Sequence, residues 1–137
     1  MKNKDLASDY ITRAGNRLAA VELLFERKSY ADVVRESQEL VELCLKGLLR
    51  LARVEVPRLH DVGPLLLDAR DRLPADVRPH TDALAKISKQ MRRDRELSFY
   101  GSEDLTPSDF YQQEDAKKAL EDARWVHSIC SSVLGKK

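Results

Sequence analysis

Glycine and proline are scarce, five of each in 137 residues, and a chain so poor in turn formers does not build a many-stranded barrel. Charge of one sign is lacking too. The 24 Lys and Arg face 23 Asp and Glu, and the net +1 gives no whole-molecule field toward nucleic acid or membrane. Any preference for anions must therefore come from a local patch. No apolar run approaches the ~18–20 residues of a membrane span, and the opening stretch MKNKDLASDY has no signal-peptide core. No membrane association and a cytoplasmic location are expected. The two cysteines, Cys44 and Cys130, lack CxxC spacing and sit at core-like positions, which reads as buried reduced thiols. No pair among His60, His80 and His127 has metal-ligand spacing, no Ser/His/Asp or Cys/His set can be assembled by spacing, and there is no Gly-rich phosphate loop. Neither a metal nor a cofactor is expected.

What is present is helical pattern. Hydrophobic residues make up 42% and charged residues 34% of the chain, too apolar for a disordered tail, and the length suits one domain over residues 1–137. Leu6, Tyr10, Ala14, Leu18, Val21 and Leu24 or Phe25 recur at steps of three or four and predict a first helix over roughly 4–27. Ser29 is placed to cap a second helix, with Asp32 near its positive end, and the stripe Tyr30, Val34, Ser37, Val41, Cys44, Leu48 carries it to about Arg53. A connector follows, then a short third helix with Val62, Leu65, Leu66 and Ala69, ended by Leu73-Pro74. Pro79 suits the first turn of a fourth helix that runs to about Tyr100. The stretch GSEDLTPSDFYQQ reads as a loop holding one helical turn capped by Thr106, and Ala116, Ala119, Leu120, Ala123, Val126, Cys130 and Val133 mark the last helix. These elements predict an all-α fold, an up-and-down four-helix bundle with an additional short helix.

Polar residues on a core-facing stripe mark the place to look for function, because an unpaired buried polar group costs on the order of 1–3 kcal/mol. On the fourth helix Ala83, Leu84, Ile87 and Met91 share a face by the helical period, and the next residues on that face are Asp94, Arg95 and Ser98. Two readings stand: the helix end leaves the core, or these residues form a polar cleft or self-association surface. From Arg78 to Arg95 six basic residues (Arg78, Lys86, Lys89, Arg92, Arg93, Arg95) face Asp82 and Asp94, a local excess suited to holding phosphate. The spacings Asp82 to Lys86 and Arg92 to Glu96 equally fit i,i+4 pairs on a solvated face, the reading favoured for Lys86 and Lys89. Glu42 and Lys46, also four apart, form a helix pair with no function required.

Taken in order, these features resemble the HEPN family of small helical bundles, named from higher eukaryote and prokaryote nucleotide-binding domains. The likeness rests on Ser37 to Leu49 with Glu42 and Lys46 four apart, on Leu59-His60-Asp61-Val62 before Leu65-Leu66, and on Arg92-Arg93-Asp94-Arg95-Glu96 before Phe99-Tyr100-Gly101. A closing helix with Tyr111, Glu114-Asp115-Ala116 and Ala123 completes it. The resemblance implies a homodimer with an inter-subunit cleft. It also implies partners: a nucleotide or RNA, or a small nucleotidyltransferase-fold protein in a toxin–antitoxin pair. Ligand-binding candidates are Arg92, Arg93, Asp94, Arg95 and Ser98. Many family members are metal-independent ribonucleases that use an Arg followed after four to six residues by a His. Here that count reaches Tyr100, and no His lies between His80 and His127. A phenol with a pKa of ~10 is a poor base at neutral pH. A binding module is thus the leading expectation and a ribonuclease with a degenerate motif, using Arg95 and Tyr100, the alternative.

Overall fold

The computed structural model describes residues 2–56, 62–100 and 106–134, with side chains described over 4–56, 62–92 and 106–134. α1 (Lys2–Glu26) and α2 (Tyr30–Leu51) are joined by a short turn that starts as a Schellman motif. Lys28 adopts φ 62°, its N–H reaches the Phe25 carbonyl at 3.0 Å, and the Ser29 N–H reaches Leu24 at 3.0 Å. Ser29 stands at the N-cap of α2 as expected, but its hydroxyl donates to Asp32 Oδ2 at 2.6 Å and accepts no helix N–H. α2 stops two residues short of the expected Arg53, because Arg53 turns left-handed (φ 59°) in a second Schellman motif closed by the Val54 N–H on Leu49.

α2 is the axis of the bundle, packed against α1, α4 (Thr81–Tyr100) and α6 (Gln113–Leu134), with α6 also against α1. That position explains its sequence. The single stripe expected from Val34, Ser37, Val41, Cys44 and Leu48 is buried, and Val33, Leu40, Leu45 and Leu49 are fully buried beside it. A helix that is apolar on more than one face is one surrounded by others. On α1 the buried line meets the expected one at Ala14 and Val21 but is offset by one residue in the first turns. Ala7 and Ile11 are in the core, whereas Leu6 and Tyr10 are half-buried. Gly47 is the cause, since a Cβ there would stand 3.2 Å from Ile11 Cγ1 and 3.4 Å from the Ala7 carbonyl; its absence lets α1 sit directly on α2.

The middle of the chain is short pieces. α3 (Gly63–Asp68) begins one residue later than expected because Val62 caps it, sending its N–H to Ser88 Oγ of α4 at 3.2 Å. A 3₁₀ turn, Arg70–Arg72, follows, and Leu73 is extended before Pro74. Pro79 lies not in α4 but in a separate 3₁₀ turn, Arg78–His80, whose carbonyl at Arg78 accepts the buried Thr81 hydroxyl at 2.8 Å. The expected turn at Thr106 is α5 (Pro107–Phe110), with the Asp109 N–H on Thr106 Oγ1 at 3.2 Å. α6 then starts with one half of a capping box, the Gln112 N–H on Asp115 Oδ2 at 2.9 Å. The all-α bundle expected from the sequence is the fold observed, with four long helices and the short α3 and α5. Among the described residues no helix is long and apolar enough to cross a membrane.

Candidate functional site

The residues that drew attention in the sequence lie in two zones of the structure. The first is the outer side of α4. Lys86, Lys89 and Arg92 are exposed, as is Ala83, which the sequence placed on the inward face. The buried line is Thr81, Leu84, Ala85, Ser88 and Met91, with Ile87 half-buried at its edge. The expected Asp82–Lys86 pair does not form. Asp82 binds Arg70 Nη2 of the preceding 3₁₀ turn instead, which leaves Lys86 without its carboxylate; Lys86, Lys89 and Arg92 are exposed cations with no acidic partner among the described residues. α4 continues as helix through Tyr100. The side chains of Arg93, Asp94, Arg95, Ser98 and Tyr100, and all of Leu59, His60 and Asp61, lie outside the described residues, as does Glu96, the expected partner of Arg92.

The second zone runs along α2. Lys46 Nζ donates to Glu42 Oε2 at 2.7 Å, as the spacing predicts, and the two side chains are only 16% and 14% exposed. Gln38 joins them without a sequence signal of its own: its Nε2 donates to the other Glu42 oxygen at 2.9 Å and the residue is 2% exposed. This ladder of amide, carboxylate and ammonium is held inside a helix flank, and Gln38 Oε1 is buried without a hydrogen-bond partner among the described residues. The polar line extends N-terminally through Arg35 and Glu36, joined at 2.8 Å, to Arg17 of α1 at 3.0 Å from Glu36.

A third feature escaped sequence reasoning. A groove of about 450 Å³ opens between α4, α5 and α6 over Val34 of α2. Its signal in the sequence was the Thr106-Pro107 cap, which fixes where Phe110 and Tyr111 fall. His80 and His127 pack against neighbouring side chains. His80 stacks edge-on to Trp125 at 5.4 Å, and His127 lies over Gly15 with Ser131 Oγ 3.2 Å from its Nε2. Cys44 and Cys130 are both buried and free, and the thiol of Cys44 beside it, together with burial, pushes Cys130 well above the usual thiol range. No three His, Cys, Asp or Glu among the described residues are grouped to hold a metal ion.

The HEPN domain model matches residues 7–133 of this chain. The chain belongs to the HEPN family. An archaeal HEPN homologue solved by crystallography has the same fold, with a TM-score of 0.66 at 23% identity over 93% of this chain and 97% of that one. No curated protein matches the chain. In this chain the Glu42 ladder lies on the central helix of the bundle.

Proposed function

We propose that this HEPN protein is a single-domain anion-binding module that works as a homodimer, its inter-subunit cleft holding a nucleotide or RNA phosphate beside the C-terminal half of α4. The observation that supports it most is the exposure of Lys89 and Arg92 on the outer side of α4. Neither has an acidic partner among the described residues, since position i−4 is Ala85 for Lys89 and Ser88 for Arg92. Arg93 and Arg95 follow on the same helix, where bidentate guanidinium contacts suit phosphate oxygens. Asp94 and Ser98 are assigned to the same cleft, Ser98 as a hydroxyl donor to a phosphate oxygen. A nucleotidyltransferase-fold protein is the partner class that family membership brings with this reading.

Binding rather than cleavage is the assigned role because Tyr100 stands where ribonucleases of the family carry His, and an un-ionised phenol does not take a proton from a ribose hydroxyl at neutral pH. The test is titration of labelled single-stranded RNA, and separately of ATP, into wild type, Arg92→Ala and Arg95→Ala in EDTA. The account expects one of the two ligands to bind wild type, each substitution to weaken binding about tenfold or more, and the RNA to stay intact. Equal affinity of all three proteins would reject the site. RNA cleavage that needs Arg95 would replace the binding role with the ribonuclease one.

A further inference from the structure

We propose that the groove between α4, α5 and α6 is a second, separate binding site, for a small organic monoanion with a flat apolar body. Its volume of about 450 Å³ lies in the range of ~300–1,000 Å³ typical of small-molecule sites. The wall is built from Ile87 and Met91 of α4 with Tyr111, and the lip carries Phe110, which is 40% exposed and meets Tyr111 edge-on at 4.9 Å. An exposed aromatic edge beside a thioether favours a flat ring system over a branched chain.

The charges on the rim select the head group. On the α6 side, Lys118 Nζ is held by Asp122 at 2.7 Å, and Asp115 is occupied by the Gln112 N–H at 2.9 Å. Across the groove Lys86 of α4 has lost its i−4 carboxylate to Arg70 and has no acidic partner among the described residues. One uncompensated ammonium faces an apolar wall, which fits a single carboxylate or sulfonate. Asp122 is offset by Lys118, but Asp115 keeps its negative charge on the opposite rim and repels a polyphosphate more than a monoanion, so this site differs in ligand class from the one assigned to Arg92 and Arg95.

The experiment is a fluorescence titration with 8-anilinonaphthalene-1-sulfonate, paired with the uncharged N-phenyl-1-naphthylamine, on wild type, Lys86→Gln and Ala83→Trp. Ala83 is exposed on the lip, so an indole there fills the groove without entering the core. Wild type is expected to bind one sulfonate per chain. Lys86→Gln should weaken the sulfonate about fivefold or more and leave the uncharged probe unchanged, and Ala83→Trp should abolish both. Circular dichroism melts check that both variants fold, and Arg95→Ala should bind the probes as wild type does. The proposal is overturned if Lys86→Gln binds the sulfonate normally or if Ala83→Trp keeps either probe. It is equally overturned if wild type binds neither probe; an oligomer that Ala83→Trp then breaks in light scattering would mark a groove filled by a second copy.

Discussion

Cys44 and Cys130 show how far one residue's environment departs from its type. Both thiols are inaccessible, and the neighbouring thiol and burial raise Cys130 well above its ordinary value. Thiolate is the reactive form, so neither cysteine should be alkylated by iodoacetamide at pH 8 in the folded protein, while both should react in guanidinium. Mass spectrometry of the alkylated chain reads this directly, and modification of either thiol before unfolding would contradict it. The same shift carries a sign for stability. A thiol whose folded pKa exceeds its unfolded value contributes stability that is fully present below the unfolded value of ~8.5 and is lost as pH rises from there toward the folded pKa. Urea midpoints should therefore be level between pH 7 and 8 with respect to this group and fall above about pH 9. In Cys130→Ser that alkaline decline should be smaller.

At the scale of elements, the ends of helices carry information that periodicity does not. α1 and α2 both terminate with a non-glycine residue in the left-handed region, Lys28 at φ 62° and Arg53 at φ 59°. The Schellman hydrogen bonds are made, but a side chain there is strained, and Lys28→Gly and Arg53→Gly should each stabilise the fold by ~0.5–1 kcal/mol, additively, in urea unfolding. A loss of stability in either variant would show that the side chain matters more than the backbone. The helices themselves were legible because their apolar residues recur every three or four positions: Val34, Ser37, Val41, Cys44 and Leu48 were named from spacing and are all buried. The offset on α1 was not legible, since it comes from one missing Cβ at Gly47 on another helix. Nor was the partner of Asp82. Spacing offered Lys86 four residues on, and the chain instead brings Arg70 back from twelve residues earlier, a tertiary contact with no local signature. Gln38 was hidden for the same reason. The spacing pairs Glu42 with Lys46, and only the crowded position of α2 turns a surface pair into a part-buried ladder.

At the scale of the molecule, the near-neutral net charge conceals an uneven distribution. Acidic groups on α2 are matched by neighbours: Glu36 by Arg17 and Arg35, Glu42 by Lys46 and Gln38. The row of Lys89 and Arg92 on α4 is not matched among the described residues. A HEPN bundle that uses this row between two subunits should bind its anion with a stoichiometry set by the dimer, whereas a basic surface on a lone chain would bind one anion per chain. Native mass spectrometry of the wild-type protein with a short single-stranded RNA tests this most directly. The account predicts a species of two chains with one RNA that is lost on Arg95→Ala while the two-chain species without RNA persists. A single chain carrying RNA, or two chains that hold RNA equally well without Arg95, would contradict it.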